Sequence, residues 1–160
     1  MPAAPDVIRT DGTVLGFDVG KRRIGVAVGS AVSGGARPIA VVDVHDGVVD
    51  WKAVDKLIRE WLPDGLVVGD PLTLAGEDQP IRQFAQQFAR DVATRSNRPV
   101  VMMDERSSSV EAAGAFAERR AAGASRRRDA EVLDAMAAAI IVERWIASPN
   151  DAVAVPGATT

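Results

Sequence analysis

Residues 14 to 28 read Val14-Leu-Gly-Phe-Asp-Val-Gly-Lys-Arg-Arg-Ile-Gly-Val-Ala-Val28, and this stretch decides how the fold begins. Two short apolar runs, 14–19 and 24–28, are separated by a polar turn that starts at Gly20. Such a pattern predicts a β-hairpin. One carboxylate, Asp18, interrupts the first run. Because an unpaired buried charge costs several kcal/mol, Asp18 is either paired with a cation, placed in a wet functional site, or satisfied by backbone amides at a strand end.

Strand and helix patterns alternate along the rest of the chain. We predict a third strand within Ile39–Val44, a turn at Asp46-Gly47, a helix from the N-cap Asp50 to Leu62-Pro63, a buried strand at Gly65–Gly69, a helix from Pro80, a buried strand at Pro99–Met103, an Ala-rich helix after a capping box of Ser108 and Glu111, and a last helix over about 130–147. These elements predict an α/β fold. Its mixed five-stranded sheet would combine a three-strand meander with two parallel crossover strands, with helices on both faces.

Composition limits the chemistry that the chain can carry. It has 160 residues, a net charge of −3, no cysteine and one histidine, His45, which we expect on the surface. The missing cysteines exclude a disulfide framework, a Cys-ligated metal and a thiol nucleophile, and one imidazole leaves little room for a Ser–His–Asp triad. We expect one domain over 13–147, flexible tails at 1–12 and 148–160, and a cytoplasmic protein without membrane contact.

Acidic residues stand at three places where a site could form. Asp18 lies in the first strand, Asp104-Glu105 ends the last parallel strand, and Asp134 shares a helical stripe with apolar residues of the last helix. Each alone has an ordinary explanation. Together they suit hard divalent cations, since Mg²⁺ binds through a few carboxylates, water and substrate phosphate. Two such ions can activate a water and stabilise the leaving oxygen of a phosphodiester.

Four sequence blocks carry a specific resemblance. They are 14–28, quoted above, Val67-Val-Gly-Asp-Pro-Leu72, Asp104-Glu-Arg-Ser-Ser-Ser-Val-Glu-Ala112 and Asp134-Ala-Met-Ala-Ala-Ala-Ile-Ile141. In order and spacing they resemble the signature blocks of the YqgF (RuvX) family, over roughly residues 13 to 147. The resemblance implies a ribonuclease-H-like fold and a metal-dependent nuclease that uses Mg²⁺ or Mn²⁺. It also implies that Asp18, Glu105 and Asp134 form the acidic triad, which would bind the metal.

Two positions depart from the family pattern. Asp70 stands where the family usually has an uncharged residue, so it is either a further metal ligand, as Asp104 could also be, or a solvated loop acid. Val132 stands where the family often has Lys. A phosphate contact usual in the family would then come from the arginines at 126–128 instead.

Arginine dominates the cations, with 16 Arg against 3 Lys. Five arginines fall in the acid-free segment 119–128. Guanidinium groups suit bidentate phosphate contacts, so this segment either binds nucleic acid or is a solvated face. The residues that we expect to contact nucleic acid are Lys21, Arg22, Arg23, Arg106, Arg119, Arg120, Arg126, Arg127 and Arg128.

Several readings of the function stay open. The resemblance favours processing of the 5′ end of pre-16S ribosomal RNA, with resolution of four-way DNA junctions as the alternative. A non-catalytic RNA-binding module would use the same arginines, but carboxylates in a phosphate-binding face weaken binding unless a metal is held there. An actin-like kinase would need two such domains, and Gly20-Lys21 lacks the Ser or Thr of a P-loop. The sequence leaves the oligomeric state open, a homodimer included.

Overall fold

The structure is a computed structural model that describes residue 8 and residues 11–71, 80–104 and 126–155. Its strands are β1 (Thr13–Val19), β2 (Arg23–Ser30), β3 (Gly35–His45), β4 (Val48–Val49), β5 (Gly65–Asp70), β6 (Val100–Asp104) and β7 (Val153–Ala154). Its helices are α1 (Trp51–Trp61), α2 (Pro80–Ser96), α3 (Arg126–Ala147) and a 3₁₀ turn at Pro149–Asp151. The predicted Ala-rich helix after Ser108 falls outside the described residues.

The strands form one mixed sheet in the order β4-β3-β2-β1-β5-β6-β7. The meander β1-β2-β3 is antiparallel, whereas β1, β5 and β6 run parallel. Both features confirm the prediction. Because β1, β5 and β6 share a direction, their carboxyl ends lie at one edge of the sheet, which we call the carboxyl edge.

Local signals in the sequence set the ends of α1. Its N-cap, Asp50, accepts a hydrogen bond of 3.3 Å from the backbone N–H of Ala53. At the other end Leu62 adopts a left-handed conformation (φ 47°) and its N–H bonds to the carbonyl of Ile58. Pro63 follows and cannot extend the helix. Both predicted ends of α1 are therefore confirmed.

The β3–β4 turn is a tight hairpin at Asp46-Gly47. Both residues have positive φ, 50° and 76°. Positive φ at both central positions matches the twist of the flanking strands, and an Asp-Gly pair favours it. The turn was predicted, but the strand after it was not, because two residues are too short to show a period.

The sheet separates two hydrophobic cores. On one face α1 and α2 pack over a core that includes Phe17, Leu66 and Phe88. On the other face α3 covers Val14, Ala27 and Val67 among others. Side chains alternate between the faces along each strand, so Val14, Gly16 and Asp18 look toward α3. Helices therefore lie on both faces, as predicted.

The terminal segments differ from the predicted tails. β7 pairs with β6 through Val101 and Met102 and brings the sheet to seven strands among the described residues, not the five predicted. Val155 is buried with the α1–α2 core. Near the other terminus, Ile8 is buried against Gly65. Pairing with an otherwise open strand edge orders a short segment that has no periodicity of its own.

Candidate active site

Asp18 and the backbone of Asp134 both adjoin Gly25. In the β1–β2 ladder Asp18 lies directly opposite Gly25, so both positions face the same side of the sheet, toward α3. A Cβ atom added to Gly25 would stand 1.9 Å from the carbonyl oxygen of Asp134. The backbone of α3 at Asp134 thus rests on the glycine beside Asp18. Two residues that are 116 positions apart in the chain (134 − 18) thus have the same glycine as a neighbour.

Small residues make this close approach possible. Along α3, Ala137, Ala138 and Ala139 are buried against the sheet. On the sheet side, a Cβ at Gly16 would meet Val142 at 2.3 Å and the carbonyl oxygen of Ala138 at 3.1 Å. Glycine below and alanine above allow a helix backbone to lie nearer to a sheet than larger side chains permit. The packing of α3 therefore fixes the position of Asp134.

Arg23 binds the Asp134 carboxylate. Its Nε donates a hydrogen bond of 2.7 Å to Asp134 Oδ2, and the two side chains are 32% and 27% exposed. Arg23 is the first residue of β2 and alternates to the same face as Gly25. The sequence predicted Arg23 as a phosphate contact. In the structure it is an ion-pair partner of the candidate catalytic acid.

The turn before β2 exposes two further cations. Lys21 and Arg22 are exposed and lie in the tight turn that the Gly20 N–H closes by bonding to the Arg23 carbonyl at 3.0 Å. Lys21 also lines a groove with Pro80 and Phe84, at the start of α2. Two exposed positive charges therefore lie in the turn that follows β1.

Asp70 lies on the other face of the sheet. It ends β5 and is only 6% exposed, and its carboxylate receives Arg82 Nε at 3.0 Å and Arg82 Nη2 at 3.5 Å. Arg82 belongs to α2, so the Asp70 side chain points away from Asp18. Asp104 pairs in register with Asp70, and strand alternation assigns it to the same α2 side. This placement does not favour either residue as a ligand shared with Asp18 and Asp134.

Several predicted site residues fall outside the described part of the chain. These are Glu105, Arg106, Arg119 and Arg120, together with the side chains of Arg126, Arg127 and Arg128, whose backbone begins α3. Among the described residues no group of three His, Cys, Asp or Glu side chains is arranged to hold a metal ion. His45 is 94% exposed beside Asp46, which confirms the predicted surface position.

Sequence reasoning missed the role of Gly25 and the Arg23–Asp134 pair. Strand alternation could have placed Arg23 and Gly25 on the face of Asp18. Gly25 pairs with Asp18 across the hairpin, and Arg23 lies two residues before Gly25 on the same strand. The contact of Arg23 with Asp134 depends on how α3 packs on the sheet, and this packing cannot be predicted from a single sequence.

Comparison with known proteins identifies the family. The model of the RuvX family, described as Holliday junction resolvase, matches residues 12–148. The chain belongs to the RuvX family. The family description and the names of the relatives make the chain a nuclease.

Named relatives are similar over nearly the whole chain. One from Xanthomonas axonopodis pv. citri (strain 306), named "Putative pre-16S rRNA nuclease", is 63% identical over 156 residues, which cover 98% of this chain and 100% of the relative. A protein of the same name from Xylella fastidiosa (strain M23) is 64% identical over 146 residues, covering 91% and 94%.

Solved structures support the fold. A structure titled "T. thermophilus RuvC in complex with Holliday junction substrate" matches with a TM-score of 0.52 at 18% identity and covers 89% of this chain and 98% of that one. A second RuvC structure from Thermus thermophilus gives a TM-score of 0.51 at 16% identity, over 89% and 99% of the two chains. The RuvX chain therefore has the predicted ribonuclease-H-like fold. None of its described helices is long and apolar enough to cross a membrane.

Proposed function

We propose that this chain is a divalent-metal-dependent nuclease that hydrolyses phosphodiesters in structured nucleic acid, with Asp18, Glu105 and Asp134 as metal ligands. The observation that carries the proposal is that Asp18 and the backbone of Asp134 both adjoin Gly25. We include Glu105 among the proposed ligands because it directly follows β6, and the carboxyl end of β6 lies at the same edge of the sheet. We propose Mg²⁺ or Mn²⁺ as the physiological ion.

The residues at this edge fit such an ion. Carboxylate oxygens are the ligands that Mg²⁺ and Mn²⁺ prefer. Arg23 Nε binds Oδ2 of Asp134, so within the described part of the chain Oδ1 is the oxygen that we propose for an ion. Asp134 is partly exposed, which gives an ion and its waters access from solvent.

When bound, the metal would lower the pKa of a coordinated water and stabilise the negative charge of the leaving oxygen. The chain's own residues do the rest. Asp18 is fixed in the central strand β1 and Asp134 by the packing of α3, and we propose that both carboxylates bind the ion. Arg23 holds the Asp134 carboxylate in one orientation. We propose that Lys21 and Arg22, which are exposed in the turn after β1, contact phosphates near the scissile bond.

Nucleic-acid binding would depend mainly on phosphate contacts. The described chain has few aromatic side chains free for base stacking, since Phe17 and Phe88 are buried and Trp51 stacks on Phe88. We propose that the cations beside the site, with those of 106 and 119–128, neutralise the backbone. Binding of this kind follows shape and charge rather than base sequence.

The relatives' names favour precursor 16S ribosomal RNA as the substrate, and we propose that the chain processes its 5′ end in the cytoplasm. A four-way DNA junction is the second candidate, favoured by the description of the family and by the fold shared with RuvC. Both substrates present phosphates to the same edge of the sheet.

A direct cleavage assay tests the proposal. End-labelled pre-16S RNA and a four-way DNA junction are each incubated with the protein and Mg²⁺, Mn²⁺ or EDTA, with the Asp18→Asn protein as control. We expect metal-dependent cleavage of the RNA by the wild type alone. Preferential cutting of the junction would instead establish the second candidate. Tight binding without cleavage of either substrate, in every metal, would reduce the chain to an RNA-binding module.

A further inference from the structure

A second cluster of basic side chains lies far from Asp18 and Asp134. It is a groove of about 540 Å³ lined by Asp55, Ile58 and Arg59 of α1, by Arg95 and Ser96 at the end of α2, and by Arg98 just after it. We call it the arginine groove. The carboxyl ends of α1 and α2 lead into β5 and β6, so the groove lies at the amino ends of those strands. β5 has six residues, about 20 Å at 3.3 Å each, between the groove and the carboxyl edge.

The groove has an excess of positive charge. Three guanidinium groups line it, against one carboxylate, Asp55. That carboxylate is already bound, since Arg95 Nη2 and Nε lie 2.7 Å and 3.3 Å from its two oxygens. The hydrogen bond with Asp55 raises the pKa of Arg95, so Arg95 stays charged. Two guanidinium charges, those of Arg59 and Arg98, remain without a carboxylate partner among the described residues.

Two of the arginines are held in place before any ligand arrives. Arg95 lies over the ring of Trp51 at 4.8 Å, and Arg98 Nη1 donates a 2.6 Å hydrogen bond to the carbonyl of Pro63. Arg98 Nε is buried and has no hydrogen-bond acceptor within the described chain. A buried donor without an acceptor is unfavourable, so Arg98 has hydrogen-bonding capacity that the described chain does not use. Fixed guanidinium groups lose little entropy on binding.

Helix electrostatics explain only part of this cluster. Arg59 and Arg95 lie in the last turns of α1 and α2, where the helix dipole favours cations. Arg98 lies beyond α2 and bonds the segment before β5 instead. The helix dipole therefore does not account for Arg98, and three guanidinium groups on one concavity suit an anionic ligand.

We propose that the arginine groove binds backbone phosphates of a second segment of the structured RNA whose cleavage site lies at the carboxyl edge. The choice of RNA as the source of phosphate rests on the proposed function. Because the groove opens on the α1–α2 face, it would be reached by a separate helix of a large RNA. A short substrate that holds only the cleavage site would not reach it.

The test measures binding without cleavage, in EDTA, by fluorescence anisotropy over a range of KCl concentrations. The variants are Arg59→Ala, which removes a side chain with no described partner, and Lys56→Ala, which removes the same charge from α1 outside the groove. Each is measured with a full-length precursor RNA and with a short hairpin that spans the cleavage site. For the precursor we expect Arg59→Ala to lower the slope of log affinity against log salt by up to about 0.9, and Lys56→Ala to leave it unchanged.

The outcomes separate this inference from the proposed function. Equal slopes for Arg59→Ala and Lys56→Ala on the precursor would overturn the arginine groove as an RNA site, whatever the cleavage assay shows. A loss that is equally large on the short hairpin would also overturn it, because the groove would then belong to the main site. In a further measurement, the wild type and the Arg59→Ala protein are each titrated with inorganic phosphate. Phosphate binding that Arg59→Ala abolishes, with RNA binding unchanged, would assign the groove to free phosphate and overturn the RNA assignment.

Discussion

Arg23 Nε donates a 2.7 Å hydrogen bond to Oδ2 of Asp134 and ties the start of β2 to α3. The pair stands beside Gly25, whose neighbour in the ladder is Asp18. A permanent positive charge therefore sits next to the acids that we propose as metal ligands. It orients one of them and, at the same time, repels a divalent cation.

Replacing Arg23 with Gln should strengthen metal binding. Removing the guanidinium charge lowers the repulsion by about 1 kcal/mol in a partly solvated site, or roughly fivefold in affinity. Isothermal titration with Mn²⁺ measures the effect. Arg22→Gln is the matched control, since Arg22 is exposed and carries the same charge one residue earlier. Equal affinities for the two variants would show that Arg23 does not act on the metal.

Replacing Asp18 with Asn should abolish cleavage and keep the fold. The amide preserves volume but loses the charge that binds metal, while one fewer carboxylate beside Asp134 reduces like-charge repulsion. We expect a Tm within about 3 °C of the wild type, less than about 1 kcal/mol for a domain of this size. Calorimetry and the RNA assay measure the two effects. Wild-type cleavage by a preparation free of contaminating nuclease would rule out Asp18 as a ligand.

Replacing Gly25 with Ala should damage both fold and site. The new methyl would stand 1.9 Å from the Asp134 carbonyl oxygen, so α3 must move away from the sheet. We expect a loss of about 3 kcal/mol, the upper range for overpacking, together with weaker Mn²⁺ binding. Gly35→Ala is the control, because a Cβ at Gly35 meets nothing within 4 Å. Equal melting temperatures for the two variants would contradict the described contact.

Part of the fold and part of the candidate site can be predicted from the sequence alone. Periodicity located β1, β2 and α1 within a residue or two, because apolar spacing and capping residues are local signals. It also selected Asp18 and Asp134, since a charge inside an apolar pattern is conspicuous. It could not reveal that Asp70 faces α2, or that Arg23 binds Asp134. The first depends on which face of the sheet the Asp70 side chain of β5 points to. The second depends on where α3 lies along the sheet. Both are set by tertiary packing.

Replacing Asp70 with Asn should cost stability but spare catalysis. The carboxylate is buried and receives two hydrogen bonds from Arg82, so the amide would leave Arg82 with a weaker partner at a cost of about 2 kcal/mol. Since Asp70 faces away from Asp18, cleavage below the melting temperature should stay within about threefold of wild type, about 0.7 kcal/mol. Chemical denaturation and the RNA assay measure the two effects. A loss of cleavage rescued by high Mn²⁺ would make Asp70 a metal ligand after all.

Replacing Arg126, Arg127 and Arg128 together with Ala should weaken binding of all nucleic-acid sequences about equally. α3 begins at Arg126, eight residues before Asp134, which is about 12 Å along a helix at 1.5 Å per residue. We expect these three cations to contact phosphates next to the scissile one. Each phosphate contact contributes about 0.7–0.9 to the salt dependence, so the slope of log affinity against log salt should flatten by up to roughly 2–3.

Cleavage of bound substrate should suffer less in the triple variant, because these groups would position the backbone and not touch the reacting atoms. Anisotropy across a salt series and single-turnover cleavage at saturating protein separate the two effects. An unchanged slope would make the cluster a solvated face. Phosphate binding at the carboxyl edge would then fall to Lys21 and Arg22, and a Lys21→Ala/Arg22→Ala variant should show the flattened slope instead.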